Sequence, residues 1–313
     1  MKKLNVLEGP SGIPAIALGL MHMPALAKDE AARVLANAVD LGVNFFDEAT
    51  CYAQGEAERR FGEAFPLSGL SRDQIVMQTK CGLEFARGVF DHSKANILKS
   101  VDESLERMGL DYLDVLLLHR PDLLMDPEEV ADAFDELHAS GKVLHFGVSN
   151  FSPMMIELLK KHVRVPLVFD QMSLSLEQSQ LIDQGLYVNN LTTERSVDRD
   201  NETFNYCRVN DITIQTWSSL SYGFPAGGKP GGCFVDSPEF PELNAALQKL
   251  ANRYGTTKAG IAIAWITSHP AHMQAIVGTM SPDHLRDIVS GADVTLTREE
   301  WYGLYLASGK CLP

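Results

Sequence analysis

Positive charge is scarce in this chain of 313 residues: 27 Lys and Arg stand against 41 Asp and Glu, a formal net charge of −14. Phosphate backbones and anionic membranes attract basic surfaces, so nucleic-acid and membrane partners are not expected and a small-molecule partner is. Long apolar runs are also missing. No stretch reaches the roughly 20 residues that span a bilayer, and the opening MKKLNVLEGPSGIP turns polar and Gly/Pro-rich where a secretion signal would have its apolar core. The expected location is the cytoplasm. Cysteines are few: Cys51, Cys81, Cys207, Cys233 and Cys311 are odd in number and form no CxxC pair, which suits reduced thiols. There is no G-x-G-x-x-G to mark a Rossmann sheet. The cluster GGKPGG (227–232) neither matches that pattern nor leads a strand into a helix, so it reads as a loop. His269 and His272 have no companion ligand nearby, and no metal is expected.

What is present is an alternation. Hydrophobic residues make up 45% and charged residues 22%, enough apolar surface for a large core. Short runs rich in Val, Ile and Phe (IPAIALG, GVNFFD, QIVMQTK, YLDVLLLH, HFGVSN, PLVFDQ, ITIQTW and QAIVGT) alternate with helical patterns such as DEAARVLANAVDLG and SKANILKSVDESLERMG. Strands buried on both faces and separated by helices predict parallel pairing. Eight such units predict one domain over residues 1–313, an α/β fold of the (β/α)8 TIM-barrel class. Two stretches break the pattern. Ser173 to Asn210 is polar and weakly periodic, and Ser221 to Pro241 is rich in Gly and Pro; both are expected to be irregular loops on the rim over the active site.

In such a barrel the strand C-termini build the site, which singles out Asp47 after GVNFF, Tyr52 in the next loop, Lys80 ending QIVMQTK and His119 ending YLDVLLLH. Four ionisable groups meeting at one end of neighbouring strands would be costly without pairing. Carbonyl reduction suits the set, with hydride from a reduced nicotinamide and a proton from a general acid. A free phenol has a pKa of about 10, and bringing it near neutrality takes about 4 kcal/mol. An ammonium about 4 Å away supplies that much at an effective dielectric near 20. Lys80 is therefore expected to activate Tyr52, Asp47 to keep Lys80 charged, and His119 to orient the substrate oxygen.

These residues resemble the aldo-keto reductase family, in its bacterial general oxidoreductase branch. GVNFFDEATCY matches its D-x-A-x-x-Y pattern, SLERMGLDYLDVLLLHRPD resembles its long signature ending in a histidine, and GKVLHFGVSNF resembles its fifth-strand signature. The resemblance implies an eight-stranded barrel closed at its base by an N-terminal β-hairpin, here KKLNVLEGPSGIPAIALG. It also implies a tetrad of Asp47, Tyr52, Lys80 and His119 with Tyr52 the proton donor. By the same resemblance Ser149, Asn150 and Gln171 would hold a nicotinamide carboxamide and Trp217 would stack on its ring. Ser218 and Leu220 would line the pyrophosphate path, and Gly19, Leu20, Met21 and Asp47 would sit beside the ribose and nicotinamide.

The stretch IVGTMSPDHLRDIV resembles the family's adenosine-phosphate site, implying Gly278, Thr279, Met280 and His284 as its residues. Gly278 stands where lysine is common, and His284 where arginine is. An arginine fork suits a 2′-phosphate better than an imidazole, so these replacements weaken the family expectation of NADPH over NADH. Ala53 stands where Gly is frequent, and Asp170 where Asn is common. NADP and a small-molecule carbonyl substrate are the expected ligands, the chain a monomer, and the short C-terminal tail implies an open site. The competing class is an NADP-binding sensor or regulatory subunit with slow turnover. A metal-dependent hydrolase would need more clustered ligands than Asp47 and His119.

Overall fold

The structure, a computed structural model, describes residues 1–190, 193–221 and 232–313. Eight strands form a closed parallel barrel: β1 (Ile16–Gly19), β2 (Phe45–Asp47), β3 (Val76–Cys81), β4 (Leu113–Leu118), β5 (Val143–Ser149), β6 (Leu167–Ser173), β7 (Thr213–Trp217) and β8 (Gln274–Val277). Each strand pairs with its neighbours in the chain, and β8 closes on β1. Each of the eight apolar runs read from the sequence overlaps one of these strands, with QIVMQTK, HFGVSN and PLVFDQ offset from theirs by one or two residues at an end. The N-terminal hairpin is also there, Lys3–Leu4 antiparallel to Ile13–Pro14.

The period of two along each strand sorts residues into two cores. Ala17 of β1, Phe45 of β2, Val115 and Leu117 of β4, Phe169 of β6 and Ile276 of β8 point inward, and Leu4, Val6 and Ile13 of the hairpin segment plug the same cluster from below. The alternate residues, among them Ile16, Phe46, Met77, Leu116, Phe146 and Val277, face the helices in a second and larger cluster. The surrounding helices carry local signals for their ends. The helix Lys94–Met108 starts where the Ser93 hydroxyl accepts from the Asn96 N–H at 3.3 Å, and it stops at Gly109 with φ 64°. Among the described residues no helix is long and apolar enough to cross a membrane.

The region Ser173 to Asn210 departs from the expected irregular loop. It contains the helices Gln180–Leu186 and Thr203–Val209 and a 3-10 turn at Glu194–Ser196. Helices of seven residues span two turns, too few for apolar periodicity to stand out. This segment is tied to the C-terminal tail, the Tyr187 hydroxyl donating to the Cys311 carbonyl and the Lys310 ammonium to the Leu176 carbonyl. Of the Ser221 to Pro241 stretch, residues 222–231, including all of the GGKPGG cluster but Gly232, lie outside the described residues.

One close helix contact fixes the outer layer near β2 and β3. Gly62 in the helix Glu56–Ala64 lies against the Arg107 carbonyl so closely that a Cβ there would overlap it, with Met108 backbone atoms 3.1 Å away. Backbone cannot yield as a flexible side chain would. Gly62→Ala is expected to destabilise the fold by roughly 1–3 kcal/mol, read as a lower denaturant midpoint at unchanged m-value.

Candidate active site

The inward positions at the C-terminal ends of the strands are polar. Lys80 points inward from β3 and is wholly buried. Its ammonium donates to Asp47 Oδ2 at 2.7 Å, to the Glu48 carbonyl at 2.8 Å and to the Tyr52 hydroxyl at 3.2 Å. Two backbone bonds bring Tyr52 there. The Glu48 N–H donates to the Gln78 carbonyl and the Thr50 N–H to the Lys80 carbonyl, both at 2.9 Å, so the loop after β2 runs along β3. The chain then turns through Ala53 and Gln54 at φ 47° and 58°, a left-handed region costly for side chains with a Cβ. His119 lies just past β4, its N–H donating to the Cys81 carbonyl at 2.9 Å, and its ring meets that of Tyr52 edge to face at 5.8 Å. The structure therefore brings Asp47, Tyr52, Lys80 and His119 together.

Their electrostatics differ in one respect from the expectation. Burial, the largest influence on Lys80, disfavours its charge, yet Asp47 and Tyr52 more than offset it and hold the ammonium above its ordinary range. Burial also dominates at Tyr52 and pushes the phenol up to about 12, because the opposing pull of Lys80 is smaller. The phenol thus keeps its proton in the resting protein instead of being brought toward neutrality. Burial, Lys80 and Arg120 together drive His119 well below its ordinary value, so its imidazole is neutral. Its Nδ1 lies 3.4 Å from the Cys51 sulfur, and burial raises that thiol to about 11.

Beneath the tetrad lies a network that the sequence reading missed. Asp47 Oδ1 accepts from the side-chain amides of Gln78 at 2.6 Å and Gln171 at 3.0 Å. Gln78 and Gln171 also donate to Gln215 Oε1, at 2.9 and 3.1 Å. Gln215 donates to Gln78 Oε1 at 3.1 Å and to Gln274 Oε1 at 2.8 Å, and Gln274 donates to the Pro14 carbonyl in the hairpin at 2.8 Å. All four glutamines are buried. A carboxylate only accepts, so Gln171 must turn its NH2 toward Asp47, leaving Oε1 as the atom it can offer a ligand. The one available signal was glutamine recurring at inward strand positions, two residues before Lys80 and two before Trp217.

The other candidates separate by location. Trp217 donates from Nε1 to Asn150 Oδ1 at 3.2 Å, Asn150 donates to Ser149 Oγ at 2.7 Å, and Ser149 Oγ donates to the Gln171 carbonyl at 2.9 Å. Ser218 and Leu220 are half-buried beyond β7, while Ser219 is buried and bonds the Ile276 carbonyl. Gly19 lies beside Asp47, and Met21 is exposed. The Leu20 side chain is fully buried in the outer core, so it can offer a ligand only its backbone. Past β8, Gly278 and His284 are exposed and Thr279 and Met280 half-buried, and Ser281 caps the helix Pro282–Val289. Arg286 is paired with Asp283 at 2.6 Å on the exposed face of that helix.

Asp170 alternates with Gln171 and so faces outward. Neither of its carboxyl oxygens has a hydrogen-bond partner among the described residues. Burial pushes it up to about 8, tempered by the nearby N–H groups of Phe151 and Asn150, whose geometry falls short of hydrogen bonds.

A closed parallel barrel with a buried ion pair, a phenol and an imidazole at its C-terminal mouth defines an α/β-barrel protein with acid–base groups at its strand ends. A sequence model described as the Aldo/keto reductase family matches residues 15–304, and the chain belongs to that family of oxidoreductases. It is 33% identical over 278 residues to a 6-dehydroglucose reductase of Agrobacterium fabrum, covering 86% of this chain and 84% of that one. It is 31% identical over 277 residues to the oxidoreductase YdhF of Escherichia coli, with 86% and 84% covered. Among solved structures, the aldo-keto reductase of Bombyx mori in complex with NADP superposes with a TM-score of 0.73 at 20% identity, covering 98% of this chain and 92% of that one, a likeness of fold.

Asp170 generates a stability prediction. Its folded pKa of about 8 lies above the ordinary 3.8, so between these values the native state binds a proton that the unfolded state has lost. Stability therefore falls as pH rises through that window, by about 1.4 kcal/mol per unit at most, and the cost is complete above the folded pKa. Asp170→Asn is expected to raise the melting temperature by about 3 °C or more at pH 8 and to change it little near pH 4. Equal shifts at both values, in calorimetric scans, would contradict the assignment.

Proposed function

We propose that this protein is a nicotinamide-dependent reductase of aldehydes or ketones, with Tyr52 as general acid and NADPH as the expected donor. The observation that carries the reading is the buried Lys80 ammonium bonded at once to the Asp47 carboxylate and the Tyr52 hydroxyl. A relative named as a reductase and a structural neighbour holding NADP support the same class.

The donor set fits a nicotinamide: Gln171 Oε1 is left to accept, the polar chain Ser149–Asn150–Trp217 stands beside it, and the Trp217 ring offers an aromatic face. Ser149, Asn150, Gln171 and Trp217 would hold that end, with Gly19, Met21 and the Leu20 backbone beside it and Ser218 and Leu220 along the diphosphate. The open space at Gly278, where a Cβ would come no nearer than 3.8 Å to His22, suits close approach of a ligand to Thr279, Met280, His284 and the capped helix start. When bound, the dinucleotide supplies a hydride to the carbonyl carbon.

Tyr52 then transfers its hydroxyl proton to the carbonyl oxygen. The raised pKa suits this task, since the acid must hold its proton until charge develops on the substrate. Lys80, 3.2 Å away, stabilises the phenolate left behind, an interaction of roughly 5 kcal/mol at an effective dielectric of 20 before desolvation is counted. Asp47 and its two glutamine donors keep the ammonium charged and aimed. A Cys51 thiol donating to Nδ1 would leave neutral His119 its hydrogen on Nε2, the nitrogen free to bond the substrate oxygen.

Tyr52→Phe is expected to lower kcat for aldehyde reduction by about a hundredfold or more while the Kd for NADPH, from fluorescence titration, stays within about twofold. Retained turnover would remove Tyr52 as the acid. Because the phenol is held up at about 12, kcat/KM for reduction should show no decline attributable to Tyr52 between about pH 6 and 9. A falling limb in that range that persists in Asp170→Asn would argue against a protonated resting phenol.

A further inference from the structure

Arg120 follows His119 directly, and the tetrad chemistry makes no use of it. Its guanidinium carbon lies 5.4 Å from the centre of the Trp217 ring, so it reaches across the barrel mouth from the end of β4 toward the end of β7. The residue is half-buried, and burial, its largest perturbation, lowers its pKa; the acidic groups that act on it are the Tyr52 phenol and the Cys51 thiol, with no carboxylate among them. Among the described residues it makes no ion pair. An arginine drawn this far from water normally has an anionic partner, because its charge is costly to desolvate alone.

The charges around it do not supply one. Lys80 is neutralised by Asp47 at 2.7 Å, and Tyr52 and His119 are uncharged. Burial and then Glu58 raise Glu48 well above the ordinary carboxylate range, and Glu48 is not among the groups that act on Arg120. Among the described residues Arg120 is therefore a positive charge without a paired anion, placed beside the acid proposed to protonate the substrate, in a chain whose net charge is −14.

We infer that Arg120 selects carbonyl substrates that bear an anionic group, a carboxylate or a phosphate, pairing with it while His119 and Tyr52 engage the carbonyl oxygen. The inference rests on the reductase reading and names its substrate class. The planar guanidinium fork matches the two oxygens of either anion, and its desolvated position strengthens the pair relative to one in open water. A chain of one to a few carbons keeps both groups of the substrate within this mouth, so short anionic aldehydes are the natural probes.

The test compares matched pairs with NADPH in the full-length protein: 4-oxobutanoate against its methyl ester, and glycolaldehyde phosphate against glycolaldehyde. In the wild type, the ratio of kcat/KM for anion over neutral partner should be at least about tenfold in one pair, carried mainly by KM, and which pair shows it tells carboxylate from phosphate. Arg120→Gln should bring that ratio near one, and Arg120→Lys should restore part of it. Calorimetric titration of butanedioate, or of inorganic phosphate if the phosphate pair leads, into protein saturated with NADP should give binding heat in the wild type that Arg120→Gln loses. A wild type that reduces the neutral aldehydes without preferring either anion overturns this inference alone, as does a ratio unchanged by Arg120→Gln. Loss of NADPH affinity with the ratio intact also overturns it, since the guanidinium would then serve the cofactor. A wild type that reduces none of the four aldehydes overturns the reductase reading beneath it.

Discussion

A single buried ion pair organises the mouth of this barrel. Lys80 has no solvent exposure, and an ammonium so placed would discharge or unfold its surroundings without a partner. Asp47, two strand positions away across the β2–β3 ladder, supplies one through Oδ2. The Glu48 carbonyl and the Tyr52 hydroxyl take the other two directions of the tetrahedral nitrogen. The phenol is therefore held by the same charge that would stabilise its conjugate base. The surrounding backbone, including the left-handed turn at Ala53 and Gln54, serves to keep that loop along the edge of β3.

An ion pair inside a barrel still leaves lone pairs and amide hydrogens to satisfy, and the glutamines close the account. Asp47 Oδ1 takes two amide donors, and the remaining amides pass hydrogen bonds through Gln215 and Gln274 to the Pro14 carbonyl in the hairpin. The polar layer is thus tied to the plug at the base of the barrel. Removing one member would leave buried partners unpaired, each costing on the order of 1–3 kcal/mol. A layer of this kind fixes the carboxylate more rigidly than apolar neighbours would, because its geometry is set by directional bonds.

The fold was legible in the sequence where burial is extreme. Strands sealed between an inner and an outer core read as continuous apolar runs, so all eight appear, and helices of three turns or more announce themselves by period and caps. The seven-residue helices after β6 do not, since two turns cannot establish a stripe and their stability comes from docking, Gln180–Leu186 onto the C-terminal helix through Asp183 and Tyr305 and Thr203–Val209 onto the helix Pro153–Lys160 through Tyr206 and Glu157. In the site, the four tetrad residues were legible as a set because they fall at strand ends with motif spacing. Gln78, Gln215 and Gln274 were not, since their spacing from Lys80 and Trp217 marks a shared face at most, and which glutamines meet is set by the strand register. The phenol's proton affinity was misjudged for a related reason. The ammonium's pull can be reckoned from one distance, whereas desolvation depends on everything packed around the ring.

The contrast between the whole molecule and its mouth bears on what can enter. A surface with excess negative charge repels anions at long range, but at physiological ionic strength such fields fade over roughly 8 Å. Inside the mouth, walls of low polarisability and partial exclusion of water leave short-range charges nearly unscreened. There the local charges decide: among the described residues, a pair that cancels, a phenol and an imidazole held neutral, and an arginine without a paired anion. The same burial that keeps the Tyr52 phenol and the Cys51 thiol protonated therefore removes the negative charges that would otherwise act on Arg120. In the proposed reaction, a single desolvating environment sets the acid and leaves a cation for recognition.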